Sequence, residues 1–169
     1  MKKCWKIRIT GIFFLCLLTF GAKAQLPQYY ASYIYQFSRY VDWPAVNGDF
    51  IIVVIGKSAI TDPLKQITKD KKVGNSKIVI QICTPDNITE CHILFVPESQ
   101  NSNFQSIKAK VDNKNVLLVT ESESYIKNGA GICFHNDEGK LKFDINKSAI
   151  KRNGLDVAIE LERYASKIY

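Results

Sequence analysis

Across residues 28–41 the apolar side chains Tyr30, Tyr33, Ile34, Phe37, Tyr40 and Val41 recur at spacings of three and four. That period predicts a helix with one buried face, and Trp43-Pro44 closes it because proline disfavours helix at the residue before it. Phe50–Ile55 is uninterrupted and apolar, which predicts a strand covered on both faces. Gly56-Lys57-Ser58 follows, with Ser58 placed to cap a helix from about residue 60 to residue 70. After a short lysine-rich turn, Ile78, Ile80 and Ile82 alternate as one buried face of a strand. Ile93–Val96 and residues 116–119 are short all-apolar strands, separated by Phe104, Ile107 and Val111 at helical spacing.

Further along, residues 132–134 and 141–145 flank Asn136-Asp137-Glu138-Gly139, a strong turn, and predict a β-hairpin. Asn146 is placed to cap a short helix that stops at Asn153-Gly154. Leu155, Ala158, Leu161, Ala165 and Ile168 then form a stripe that predicts one more helix. Strands alternating with helices imply the α/β class: a single three-layer sandwich with a mostly parallel, mixed sheet and a C-terminal antiparallel hairpin.

Charge changes the picture only at the N-terminus. The 169 residues carry 23 basic and 16 acidic side chains, a net charge of +7. Lys2, Lys3, Lys6, Arg8 and Lys23 all fall in the first 24 residues, which contain no acid, so the rest carries only about +2. The basic excess therefore belongs to a leader and does not argue for nucleic-acid binding. Residues 9–20 form an apolar run after that basic start, and Ala22-Lys23-Ala24 supplies small residues for a signal peptidase. Cleavage is expected before Gln25, giving a signal peptide over residues 1–24 and an α/β domain over residues 25–169. The run is well short of the roughly 20 residues needed to span a bilayer, so no stable membrane insertion is expected after cleavage. Leu15 precedes Cys16, which argues against lipid attachment there. The expected location is the periplasm.

Candidate chemistry is sparse. The chain has no Gly-x-Ser-x-Gly and no His-Glu-x-x-His. Ile51 stands where a P-loop ending in Gly56-Lys57-Ser58 would need its first glycine. Cys133 and His135 lie two apart and would share a strand face, whereas Cys91 and His92 would not; two ligands are too few for a metal site. Asp42 beside Trp43 and Asp144 in the hairpin do not make an acid/base pair. No catalytic residue, metal or cofactor is assigned, and the chain is not expected to be an enzyme. Gly56, Lys57 and Ser58 mark a strand end where open α/β sheets hold ligands, so a small-ligand crevice is the alternative functional reading.

Cleavage leaves Cys83, Cys91 and Cys133. In an oxidising compartment three pairings are open. The short segment between Cys83 and Cys91, with Pro85 and Asn87, favours a disulfide between them and leaves Cys133 a buried free thiol. The other reading is three buried cysteines packed as small apolar groups.

Three stretches taken in order, YIYQFSRYVDWP, CHILFVP and GICFHNDEGKLKFDINKSAIKRNGLDVAIELERYAS, resemble the YfiR/HmsC-like family of exported bacterial regulators. The resemblance runs from Tyr33 to Ser166 and implies an α/β sandwich. It also implies a non-enzymatic inhibitor of the sensor domain of an inner-membrane signalling protein, a diguanylate cyclase or a sensor histidine kinase, released by a redox or envelope cue. Cys91 matches the family's central cysteine, whose usual partner lies in the first core strand. Here that strand has Val53 and Val54 and no cysteine, so Cys83 is the replacement partner that the resemblance implies. Asn146 and Leu155, in the matching closing segments, look structural. The chain's own association is left open, with a homodimer among the expected partners.

Overall fold

A computed structural model of the chain describes residues 26–169, so the leader and its cleavage position lie outside the described residues. Helix α1 (Leu26–Tyr40) leads into β1 (Val41–Asp42), β2 (Phe50–Ile55), α2 (Thr61–Thr68), β3 (Lys72–Val73) and β4 (Ser76–Cys83). Next come β5 (Ile93–Val96), α3 (Phe104–Val111), β6 (Leu117–Thr120), β7 (Ile132–Asp137) and β8 (Lys140–Ile145). Helix α4 (Lys147–Arg152), β9 (Asp156–Val157) and α5 (Ile159–Glu162) follow. The main sheet has the order β3-β4-β2-β5-β6-β7-β8. Strands β4, β2, β5, β6 and β7 run parallel, with β3 and β8 antiparallel at the two ends. The mixed α/β sandwich expected from the sequence is thus observed, with an antiparallel hairpin at each edge.

The apolar runs become the central strands because both of their faces are covered. On one face Ile34 and Phe37 of α1 and Leu64 of α2 pack on Ile52, Val54, Ile93, Phe95, Phe134 and Phe143. The aromatic stripe of α1 is core: Phe37 stacks near Phe134 at 5.6 Å, and Tyr30 meets Phe134 edge-on at 4.8 Å between centroids. On the other face Phe104, Ile107 and Val111 of α3 cover Val53, Ile55, Leu94, Val96 and Leu118. Full burial of each Leu, Ile or Phe contributes about 1.5–3 kcal/mol, so this double cover is the main source of stability.

The hairpin turn is tighter than expected. Its strands extend to Asp137 and Lys140, leaving Glu138 (φ 50°) and Gly139 (φ 80°) as a two-residue loop whose positive φ values match the right-handed twist of the strands. Helix α2 is shorter than expected, and Ser58 does not cap it. Its hydroxyl instead accepts a hydrogen bond from Ile60 N–H at 3.4 Å in the turn before the helix.

The largest departure is the C-terminal segment, where the expected helix is only α5. Before it, β9 pairs antiparallel with β1, joining Val157 to Val41. Beyond it, residues 166–169 run parallel beside β8, with Ser166 N–H donating to Phe143 O and Tyr169 N–H to Ile145 O, both at 2.8 Å. The stripe is buried in part: Leu155 and Leu161 are core residues, whereas Ile168 is 48% exposed. Open strand edges, however, offer this segment backbone partners that a helix would have to forgo.

Asn146 does cap α4: its side-chain oxygen accepts from Ala149 N–H at 2.8 Å, and its amide donates to Ile126 O at 2.6 Å. Replacing it removes a cap and strands a carbonyl. Asn146→Ala is expected to lose about 2–4 kcal/mol in urea unfolding, and Asn146→Ser, which keeps a capping oxygen without the amide donor, to recover about 1 kcal/mol of that. An alanine variant as stable as the parent would show that neither bond matters.

Candidate functional site

The sheet order places a crevice at the carboxyl ends of its strands. From β2 the chain returns to β4 through α2 on one face, while from β5 it moves to β6 through α3 on the other. The loops leaving β2 and β5 therefore diverge, which is the arrangement that opens a ligand crevice in parallel sheets. A cleft of about 320 Å³ lies there. Lys57 and Ser58 line it, with Pro97 and Ser99 after β5, Glu121 after β6 and Tyr30 from α1. Gly56 stands behind this wall and is not among the lining residues; its φ of 66° turns the chain out of the strand, close against the Gln100 side chain.

Glu121 gives the cleft its electrostatic character. Burial raises its pKa; the hydrogen bond it accepts from Glu98 N–H at 2.8 Å opposes that rise, and the Glu98 charge adds to it. Burial, followed by the charges of Glu121 and Glu98, pushes the Tyr30 hydroxyl up to about 12. Sequence reasoning found the Lys57 and Ser58 side of this cleft and missed Glu121 and Tyr30. Glu121 follows β6 directly, so the strand-end rule applied to every parallel strand would have found it.

The three cysteines share the α3 face. Cys83 ends β4, Cys91 precedes β5, and Cys133 sits in β7. All three are free thiols in the structure, so the expected bridge between Cys83 and Cys91 is not formed there. Cys83 is half-buried; burial raises its pKa, and the Thr89 N–H and Lys110 draw it back. Cys91 is pushed up to about 12 by burial and then by the nearby Cys83. Cys133 reaches about 12 through burial, partly offset by the hydrogen bond from the Thr120 hydroxyl.

Cys91 borders a second hollow of about 470 Å³ at the opposite end of the strands, beside Ile88, Lys110 and Lys114. His92 lines the same hollow, but its ring lies against Phe50, which belongs to the cluster on the other sheet face from Cys91. It stacks on Phe50 at 4.4 Å, and its Nδ1 accepts from Ile51 N–H at 3.0 Å. Burial lowers its pKa, so it stays neutral at pH 7 and is held as a structural acceptor. Cys133 and His135 do share a face, and buried Asp144 lies opposite Cys133 across the hairpin. His135 Nδ1 and Asp144 Oδ1 stand 3.8 Å apart, and neither has a hydrogen-bond partner among the described residues. Asp42 lies elsewhere, opposite Asp156 in the small β1–β9 sheet.

Thiol reactivity follows from this placement, because only the thiolate attacks. With free thiols at pH 8, a small alkylating reagent is expected to label Cys83 first, and Cys91 and Cys133 only after unfolding. Peptide mass spectrometry reads this directly, and rapid native labelling of Cys133 would contradict its burial.

Two comparisons bear on identity. No curated protein matches the chain. A family model described as YfiR/HmsC-like matches residues 27–166, which takes in α1, the whole main sheet and α5. The aromatic helix, the thiol-bearing sheet face and the late hairpin with its capped helix are thus parts of one inherited unit, and the chain belongs to the YfiR/HmsC-like family.

Proposed function

We propose that the mature chain is a periplasmic, non-enzymatic regulator of cyclic di-GMP signalling that binds the external sensor domain of an inner-membrane diguanylate cyclase and holds it inactive. The observation that carries this reading is the family match over nearly all the described residues. The family is one of exported regulators, and the basic leader followed by an apolar run accords with export. Site chemistry is consistent with it. Cys133 is buried and Tyr30 is held protonated, while His92 Nδ1 is occupied as the acceptor of Ile51 N–H.

Inhibition by contact requires differential binding: the regulator must favour the inactive conformation of its target, and a cue must erase that preference. A tenfold shift in the target's activity corresponds to about 1.4 kcal/mol of preference. Deleting the gene is expected to raise cellular cyclic di-GMP, and restoring the exported chain to lower it. Unchanged cyclic di-GMP would remove the cyclase as target, and an unchanged histidine-kinase output as well would end the regulatory reading.

The cue we propose is redox, through a Cys83–Cys91 bridge formed in the periplasm. Both thiols belong to the cluster on the α3 face, Cys83 at the carboxyl end of the strands and Cys91 at their amino end, so bridging them requires the segment that joins them to shift. Closing a nine-residue loop stabilises by about 2.6 kcal/mol in the chain-entropy account, so reductant is expected to lower the melting temperature by about 5–10 °C. Non-reduced peptide mapping of chain recovered from the periplasm should find the linked pair; three free thiols there would leave regulation to binding alone.

The alternative, a small-ligand-binding module, is favoured by one observation, the cleft at the diverging loops after β2 and β5. Its lining joins one lysine and one carboxyl, Lys57 and Glu121, to the ring of Tyr30, which suits a small polar ligand.

A further inference from the structure

The cleft beyond β2 and β5 has an apolar rim. Leu26 lines the cleft, and Tyr29 lies three residues further on, beside it on α1. Leu26 is 41% exposed and Tyr29 55%, so two large apolar side chains stand in solvent next to the opening. Inside, charges of both signs are present. Lys57 lies in the segment that leads into α2, and the start of α2 has no side-chain cap, so its first backbone N–H groups favour an anion beside the lysine. Glu121 enters from the end of β6, with one oxygen taken by Glu98 N–H. Among the described residues neither Lys57 nor Glu121 belongs to an ion pair. A volume of about 320 Å³ is at the small end for a ligand site, which limits the occupant to a small group bearing both charges.

We propose that the cleft holds the headgroup of a membrane lipid whose primary ammonium and phosphate are joined by a short link, as in phosphatidylethanolamine, and that Leu26 and Tyr29 enter the lipid interface beside it. The phosphate meets Lys57 and the N–H groups at the start of α2, and the ammonium donates to the Glu121 carboxylate. Tyr30, held protonated by burial and by the charges of Glu121 and Glu98, adds a hydroxyl donor. The rim decides between a lipid and a dissolved zwitterion of the same chemistry. A free solute leaves Leu26 and Tyr29 in water, whereas a bilayer covers both, and tyrosine suits the boundary between headgroups and acyl chains. One headgroup and two side chains make a reversible hold and not an anchor. The inference rests on the periplasmic location proposed above and is independent of which signalling protein is the target. It would bring the regulator to the surface in which an inner-membrane target is held.

Flotation with lipid vesicles tests it. Chain recovered from the periplasm is expected to float with vesicles of phosphatidylcholine and phosphatidylethanolamine in equal parts. It should float about fivefold less or worse with phosphatidylcholine alone, or with phosphatidylglycerol in place of phosphatidylethanolamine. The mature chain's charge of about +2 would by itself give the opposite order and favour phosphatidylglycerol. Leu26→Ser combined with Tyr29→Ser is expected to lose about tenfold or more of the binding. Lys57→Gln and Glu121→Gln should each lose about fivefold on phosphatidylethanolamine vesicles. Leu26, Tyr29 and Lys57 are exposed, so circular dichroism and melting of their variants should match the parent. Should Glu121→Gln fail to fold, those variants decide. A melting temperature raised by O-phosphoethanolamine or free amino acids, with no flotation, would overturn lipid docking and keep a soluble ligand in the cleft. Flotation no stronger on phosphatidylethanolamine than on phosphatidylglycerol, or untouched by the Leu26 and Tyr29 changes, would overturn the proposal as well. Cyclic di-GMP unchanged by gene deletion bears on the target alone.

Discussion

Strands β2, β5 and β6 are apolar along both of their faces, and an apolar strand must be covered on each side. The other elements are arranged by that need. Helices α1 and α2 take one face, and α3 with the loop through Ile88 and Cys91 takes the other. Because crossovers are right-handed, the connection from β2 toward β4 and the one from β5 toward β6, which move in opposite directions along the sheet, leave to different faces, so the chain parts between β2 and β5 and opens the crevice that Lys57 and Glu121 line. The cleft is thus a by-product of covering the core, available to function without added structure.

The same constraint explains how the cysteines are placed. A small, weakly polar side chain fills a site beneath a short helix with little desolvation cost, and Cys133 under the Thr120 hydroxyl is such a filler. Where the cover thins, over the β7–β8 hairpin, polar groups return: buried Asp144 faces His135 without a direct hydrogen bond between them. A buried carboxyl needs a polar neighbour, and His135 stands 3.8 Å from this one, while the hairpin's other face joins the aromatic cluster where Tyr33, Phe134 and Phe143 meet.

Much of the fold was legible because its signals are local. The run Phe50–Ile55 specified β2 to the residue, and Asn146 with Gly154 specified both ends of α4. The C-terminal stripe misled because apolar residues three and four apart serve equally well in a path that is strand, single helical turn and strand. Only the presence of β1 and β8, far off in sequence, decides between the two. The site was half legible for the same reason. Lys57 and Ser58 announce themselves after a strand, whereas the Tyr30 hydroxyl reaches the cleft from a helix read, correctly, as core.

Pairing of residues 166–169 with β8, and of β9 with β1, has a consequence in time. The stretches that fasten the sheet's late edge and clasp the end of α1 are synthesised after every strand of the main sheet. N-terminal segments can collapse early, but these backbone bonds wait until residues 156–169 have emerged. A fold built this way closes its sheet edge and its helix clasp late, with residues far in sequence from the elements they secure.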